Sequence, residues 1–383
     1  MKSIEPKLPE VGTTIFTKMG ALARQYNAVD LSQGFPNFAP NGELLSLVTD
    51  AMKKGHNQYA PMQGILPLRE RISEKIAARH AHHYHPETEI TVTAGATQAL
   101  FTAIMAFVHP GEEVVVLEPA FDCYAPAITL AGGKMVPVPL DTQDFGVPWK
   151  RLAESLTAKT RMVIINSPHN PSGRVLNRSD MEQLQTLLKG TDVLLLSDEV
   201  YEHMVFDGAD HESACRFPDL AQRSLICASF GKTFHVTGWK LGYMAGPKEL
   251  MDIFNKVHQF NVFCVNHPMQ WAVANYLGSP KAYLELNRFY QEKRDYFLEA
   301  VAPSRFTAVP SQGTYFQVMD YRALTGEPDL DFAVRLIKEH RLATIPLSVF
   351  NHNGREHGKL RFCFAKTTET LDRAADIINA ITA

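Results

Sequence analysis

From Glu89 onward, short apolar runs of strand length alternate with stretches of helical spacing. The runs are Ile90–Thr93, Val114–Leu117, Met135–Val138, Met162–Ile165, Val193–Leu196, Leu225–Ala228 and Leu241–Ala245. Between them, Gln98–Val108, Cys123–Ala131, Trp149–Leu156 and Ser179–Leu188 place apolar residues on one helical face. Unbroken β-branched or leucine-rich runs predict strands covered on both faces, and helical crossovers between them predict a mostly parallel sheet. Ligands of such sheets sit beyond the carboxyl ends of the strands. Five of those ends are conspicuously polar: Thr93-Ala-Gly-Ala-Thr97, Glu118-Pro-Ala-Phe121, Asn166-Ser-Pro-His-Asn170, Ser197-Asp-Glu-Val-Tyr201 and Ser229-Phe-Gly-Lys232.

The flanks follow other patterns. Thr13 to Arg24 has helical spacing, with Ile15, Phe16, Met19, Leu22 and Ala23 on one face. Leu31 to Phe38 reads as a loop in which Gly34 leaves the backbone open to close approach. A helix is predicted from about Gly42 to Lys53, then the exposed segment Asn57–Pro61, then a helix over Leu66–Ala78. Beyond Gly278-Ser-Pro280 the alternation gives way to a long charged helix, Lys281–Val301, and a mixed, strand-rich segment. With 383 residues, two domains are expected: a large one over 45–280 and a small one built from 1–44 plus 281–383.

Composition removes several function classes. Lys plus Arg number 38 against 41 Asp plus Glu, a formal charge of −3, which gives nucleic acid or an anionic membrane no electrostatic purchase. Five widely spaced cysteines without a CxxC read as reduced thiols rather than a disulfide framework or zinc site. No apolar run approaches bilayer length, and Met1 to Pro6 lacks an apolar signal core, so a cytoplasmic protein is expected. His80, His82, His83 and His85 crowd one helix end, but close spacing does not fix metal geometry. A solvated loop is the better expectation there, and no metal is expected.

The strand ends carry the candidate chemistry. Burial at a strand end would lower the pKa of the Lys232 amine, and a neutral amine can form a Schiff base with a carbonyl; a surface lysine is the plain alternative. Ser229 and Lys240 offer a hydroxyl and a cation for one phosphate. Gly95 permits a tight turn, and the N–H groups of Ala96 and Thr97 open a helix that can hold an anion, although neither a P-loop nor a GxGxxG is present. Asp198 would be a buried carboxylate needing a cation, such as a protonated ring nitrogen, or else a helix cap. Asn170 and Tyr201 can donate to a ring oxygen, while Phe121 can stack on a ring or fill the core. Together, a lysine that traps an aldehyde, an aspartate for a ring nitrogen, donors for a phenolate oxygen and a phosphate cup describe pyridoxal 5′-phosphate.

Asn170-Pro-Ser-Gly, Ser197-Asp-Glu-Val-Tyr and Ser229-Phe-Gly-Lys-Thr with Gly238-Trp-Lys-Leu-Gly resemble the class I/II pyridoxal phosphate aminotransferases of fold type I. Leu31-Ser-Gln-Gly-Phe-Pro-Asn-Phe, Asn57-Gln-Tyr, Glu118-Pro-Ala-Phe-Asp-Cys-Tyr and Leu360-Arg-Phe-Cys-Phe-Ala-Lys narrow the likeness. They resemble the subgroup of kynurenine aminotransferase, glutamine transaminase K and bacterial methionine aminotransferase, over essentially the whole chain. The resemblance implies an α/β fold whose mostly parallel central sheet is flanked by helices, with a smaller α+β domain. It implies that Lys232 bonds the cofactor and then shuttles the substrate's α-proton. Asp198 would pair with the ring nitrogen, Asn170 and Tyr201 with the ring oxygen, and Phe121 with the ring face. Gly95, Ala96, Thr97, Ser229 and Lys240 would bind the phosphate, with Tyr59 from a second subunit of a homodimer. Arg361, helped by Gly34 and Asn170, would bind the substrate α-carboxylate, and Phe16 with the second subunit's Phe263 would line the side-chain pocket. Two departures bear on this. Lysine stands at 240 where the aspartate branch has arginine, as is common in the subgroup. Phe16 and Thr97 stand where kynurenine enzymes tend to carry larger aromatics, which argues against kynurenine as substrate.

No second arginine falls in a motif for a distal carboxylate, which argues against aspartate or glutamate as donor, and the resemblance to the bacterial methionine enzymes makes methionine the expected donor. Phenylalanine, tyrosine, leucine or glutamine would be weaker donors, and a 2-oxo acid the acceptor. The enzyme alternative is a cysteine-conjugate or cystathionine β-lyase, which uses the same cofactor. A transcription regulator with an aminotransferase-like domain would need a further DNA-binding segment, whereas the aminotransferase pattern here starts within the first twenty residues.

Overall fold

The computed structural model describes residues 5–382, so Met1–Ile4 of the N-terminal stretch read above lies outside the described residues. The apolar runs become one seven-stranded sheet. Its strands are β1 (Ile90–Thr93), β2 (Glu113–Glu118), β3 (Lys134–Pro139), β4 (Thr160–Asn166), β5 (Leu194–Asp198), β6 (Ser224–Ser229) and β7 (Gly242–Ala245). They lie in the order β1-β7-β6-β5-β4-β2-β3. β7 runs antiparallel to β1 and β6, and the remaining pairings are parallel. Every residue of β1, β2, β5, β6 and β7 is buried. Helices cover both faces, which is why these runs are continuously apolar instead of alternating. The helix Gly95–Phe107 packs on β6 and β7, and Lys248–Asn261 packs on that helix in turn.

The parallel strands deliver their carboxyl ends to one rim. Because β7 is reversed, its amino end reaches the same rim and brings Lys240 beside the Gly95 turn: a Cβ on Gly95 would stand 3.5 Å from the Lys240 ammonium. A second, antiparallel sheet has the order Ile345–Pro346, Lys359–Cys363, Phe316–Asp320, with Arg361 on its central strand. Near the N-terminus, Val29–Asp30 pairs in parallel with Leu342–Ala343, which ties the loop after Asp30 to this sheet. The first helix, Ile15–Gln25, starts at Thr14, whose hydroxyl accepts from the Thr17 amide.

One expected element differs. The charged helix predicted over Lys281–Val301 is two helices, Lys281–Leu284 and Leu286–Val301. At Glu285 the backbone takes φ −91° and ψ −3°, and its N–H turns to the Tyr283 carbonyl instead of the carbonyl one full turn back. The i→i−4 ladder is therefore broken without a glycine or proline to announce it. The histidine run also divides. His80 ends the helix Leu66–His80 and is buried, whereas His82 packs edge-on against Tyr84 at 4.5 Å. Among the described residues, no group of three His, Cys, Asp or Glu side chains is placed to hold a metal ion, and no helix is long and apolar enough to cross a membrane.

Gly242 pairs with Ser229 where β7 meets β6 at the rim. A Cβ there would stand 2.6 Å from the Ala228 carbonyl oxygen and 3.3 Å from the Ala96 amide nitrogen. Both are backbone atoms that cannot rotate away. Gly242→Ala is expected to lower the unfolding free energy by about 1–3 kcal/mol, as overpacking does, with an unchanged m-value in urea titration.

Candidate active site

A cavity of about 300 Å³ opens at the rim between the large sheet and the Arg361 strand. Fifteen sequence candidates were tied to this chemistry, and thirteen line it: Phe16, Gly34, Gly95, Ala96, Thr97, Phe121, Asn170, Asp198, Tyr201, Ser229, Lys232, Lys240 and Arg361. Tyr59 and Phe263 do not. They are 80% and 54% exposed and pack edge-on against each other at 5.2 Å, on an outer surface that also carries the exposed Phe260.

Lys232 sits on a single helical turn, Phe230–Thr233, directly after β6. Ser229 starts that turn, its hydroxyl accepting the Lys232 amide at 3.4 Å. The Lys232 amine donates to the Tyr315 hydroxyl at 2.9 Å and to the Gly34 carbonyl at 3.2 Å. Tyr315 donates to the same carbonyl at 2.6 Å. Desolvation in the cavity pushes the amine down to about 8, so the neutral form is far more accessible near neutral pH than for an ordinary lysine.

Asp198 closes β5 at 3% exposure. No cation pairs with it; the Tyr124 hydroxyl donates to Oδ2 at 2.6 Å, and the Val200 amide to Oδ1 at 3.3 Å. The chain beyond it turns and does not form a helix, so helix capping does not account for it. Burial raises its pKa to about 6, against the lowering effect of the Tyr124 hydrogen bond. Tyr201, also buried, lies edge-on to Tyr315 at 5.2 Å, and burial pushes its phenol far up. Phe121 lies edge-on to Tyr124 at 5.8 Å.

The helix Gly95–Phe107 points its amino end into the cavity, and no side chain caps it. Gly95 has φ +76°, a conformation suited to glycine. Free amides at Gly95, Ala96 and Thr97, the Ser229 hydroxyl and the Lys240 ammonium thus line one corner, a site fit for a phosphate.

Arg361 is 1% exposed and has no carboxylate partner. Its Nη1 donates to Asn170 Oδ1 at 2.7 Å and its Nη2 to the Ser32 carbonyl at 3.2 Å, while Nε is buried without a partner. The rings of Phe316, Phe350 and Phe16 surround the guanidinium at 3.9, 5.1 and 5.4 Å. Burial pulls its pKa down to about 10, so the group stays cationic. A buried guanidinium with an orphaned donor is a receptor for a carboxylate. Asn170 is set for this by its own amide, which donates to Asn166 Oδ1 at 2.7 Å.

Sequence reasoning missed Tyr124, Tyr315 and Phe316. Tyr124 lay inside a quoted stretch, Glu118 to Tyr124, but nothing in spacing assigned it to Asp198. For Tyr315 and Phe316 the sequence held no signal.

Residues 26–378 match the family model described as aminotransferase class I and II. The methionine aminotransferase of Escherichia coli (strain K12) is 44% identical over 373 residues, 97% of each chain. Kynurenine–oxoglutarate transaminase 1 of Rattus norvegicus is 33% identical over 402 aligned positions, 95% of each chain. Among solved structures, YbdL from Escherichia coli, described as having a methionine aminotransferase function, superposes with a TM-score of 0.97 at 43% identity, covering 98% of this chain and 99% of its own.

The Asp198 carboxyl generates a pH prediction. Its folded pKa, about 6, lies above the ordinary value of 3.8, so the fold binds its proton more tightly than the unfolded chain does. The group costs nothing when both states are protonated. Its cost grows as pH rises from about 4 through 6 and is complete above that, at roughly 3 kcal/mol for two pKa units. In the ligand-free chain, Asp198→Asn is expected to raise the unfolding free energy at pH 8 and to do little at pH 4, measured by urea titration at both.

Proposed function

The chain belongs to the class I and II aminotransferases, and from that premise we propose that it transfers the α-amino group of methionine, and less readily of other apolar or aromatic amino acids, to a 2-oxo acid by a ping-pong mechanism. One observation carries the reading: Lys232, Asp198 and Arg361 share a cavity, and none makes an ion pair among the described residues. Each lacks what a pyridoxal phosphate and an amino acid would bring. When bound, pyridoxal 5′-phosphate supplies an aldehyde that captures an amine and a cationic ring that accepts the electron pair left when the α-proton departs.

The residues present fit that cofactor. Asp198 would face the ring nitrogen, whose positive charge offsets the cost of burying the carboxylate. Asn170 and Tyr201 would hold the ring oxygen, and Phe121 the ring face. The uncapped amides of Gly95, Ala96 and Thr97, with Ser229 and Lys240, would hold the phosphate. Lys232 would anchor the aldehyde and, once free, take the α-proton from the substrate at its amine and pass it to the cofactor carbon that had carried the aldehyde. An amine near pKa 8 suits both halves of that task. Arg361 would take the α-carboxylate through its unpartnered Nε and an Nη, with Gly34 and Asn170 beside it. That grip would orient the substrate, with Phe16, whose ring lies 5.4 Å from the guanidinium, available to its side chain.

That side-chain region is apolar, and its cations are already assigned. A thioether gains roughly 25 cal/mol per Å² of apolar surface buried, and sulfur packs well against rings. A distal carboxylate would be desolvated without a partner, at a cost of several kcal/mol. The 44% identical methionine enzyme supports the same choice, and nothing in the cavity favours a β-lyase.

Residues 45–280 would form the cofactor-binding unit, and 1–44 with 281–383 the smaller one. We also propose a homodimer in which Tyr59 and Phe263 reach the cavity of the second copy, since both are exposed rings that do not line their own. Cytoplasmic residence fits five unpaired cysteines.

Methionine is expected to exceed aspartate in kcat/KM by at least about 100-fold, the equivalent of some 3 kcal/mol; a preference for aspartate overturns the substrate assignment. Subunit sharing is tested by mixing. Lys232→Ala chains should be inactive and Tyr59→Phe chains impaired in holding cofactor. Heterodimers of the two contain one native and one doubly altered site, so their activity should exceed that of either parent. Confirmed heterodimers without that gain refute shared sites.

A further inference from the structure

Lys366 lies just beyond the Arg361 strand at 3% exposure. Its ammonium donates to the carbonyls of Phe35 at 2.9 Å and Gln33 at 3.3 Å and lies 5.1 Å from the centre of the Phe35 ring. It makes no ion pair with a carboxylate among the described residues. An unpaired buried ammonium is costly, and an apolar side chain of similar length would be cheaper for stability alone. The cation therefore has a geometric reason to be there.

That reason is visible in the tripeptide it grips. The carbonyls of Gln33 and Phe35 turn toward Lys366, while the carbonyl between them, Gly34's, turns to the Lys232 amine and Tyr315. Two lysines thus hold successive carbonyls of one bent segment, in which the Phe35 amide also donates to the Gln33 carbonyl at 3.0 Å. The same segment reaches the other working parts of the cavity. The Ser32 carbonyl accepts from Arg361 at 3.2 Å, the Gln33 amide side chain donates to the Phe16 carbonyl at 2.9 Å, and Phe35 lines the cavity. Asn37 adds a separate tie, accepting from the Thr367 amide at 2.7 Å. Lys366 is itself set from outside, its carbonyl accepting from Lys293 at 2.8 Å.

We propose that Lys366 is a positioning residue for amino-group transfer: by fixing the Gln33 and Phe35 carbonyls it sets the Gly34 carbonyl against Lys232 and holds the Phe16–Phe35 wall at its distance from Arg361. This rests on the roles given above to Lys232 and Arg361. Lys366 is not among the residues that line the cavity, so its removal loosens the side-chain wall and leaves the residues of the phosphate corner in place.

The test compares wild-type holoenzyme with Lys366→Met, which keeps the length of the side chain and removes the charge. The probe is 4-(methylthio)butanoate, which has the carboxylate and thioether of methionine but no amine to react. Calorimetry should show its Kd rising about tenfold, and the methionine-to-alanine ratio of kcat/KM should fall by a similar factor, the scale expected for misplacement below 1 Å. Cofactor affinity should stay within about twofold of wild type. Unchanged probe binding and donor ratio overturn the proposal. So does a parallel loss of probe binding, cofactor affinity and Tm, which marks a merely structural lysine. If the methionine variant does not accumulate, Lys366→Gln, which keeps one donor without charge, is judged by the same criteria. Should Lys232→Ala retain normal turnover, the reading of the site fails and this inference with it; a dead Lys232→Ala beside an indifferent Lys366→Met rejects this inference alone.

Discussion

A guanidinium at 1% exposure with no carboxylate to meet it imposes a demand that three remote segments answer together. Arg361 comes from the small sheet, the Ser32 carbonyl from the N-terminal loop, and Asn170 from the loop after β4. The latter two contribute partial negative charge, and three phenylalanine rings close the remaining sides. Water is thereby excluded while one donor, Nε, is left over. A ligand carboxylate would satisfy that donor and complete the charge balance, so its binding would also strengthen the union of the three segments. Weakening any one of them would alter affinity for a carboxylate before it altered the sheet.

The opposite wall is pinned from behind. Along Ser197 to His203, Asp198 and Tyr201 line the cavity, whereas the carboxylates of Glu199 and Glu202 bond to groups behind the turn. Glu199 accepts from Ser197 Oγ at 2.7 Å and from the Ala214 amide at 3.0 Å, and pairs with His211 at 2.8 Å. Glu202 pairs with Lys75 and lies 3.8 Å from His80. Burial alone would raise the Glu202 carboxyl, but Lys75, His203 and His80 together hold it well below the ordinary carboxylate range. The first histidine of the conspicuous run thus serves a buried ion network. Removing one partner from such a network is far costlier than its net contribution to stability, and here the damage would pass directly to Asp198 and Tyr201.

The sheet was legible because strands buried on both faces are written as continuous apolar runs, and the polar rim followed from where those runs stop. The direction of Leu241–Ala245 was not legible, since an apolar run reads alike in either sense; only the fold reveals that reversal brings Lys240 to the rim. Tyr124 and Tyr315 escaped for a related reason. Their partners lie 74 and 83 residues away, and neither spacing nor composition encodes which distant residues a parallel sheet will juxtapose. The break at Glu285 carries no glycine or proline, so the charged helix looked continuous.

The loop after Asp30 is held mostly by its main chain. Carbonyls of Ser32, Gln33, Gly34 and Phe35 receive Arg361, Lys366, Lys232 and Tyr315, and every amino acid offers a carbonyl. Position 34 alone is narrowly restricted, because a Cβ there would stand 2.7 Å from the Phe316 ring. The side chain at 35 contributes to the wall facing a substrate, yet it can be exchanged without surrendering the bonds that orient the lysine and the arginine. Evolution can therefore retune what this enzyme accepts by single substitutions at such a position, leaving its chemistry inherited intact through gene duplication and drift.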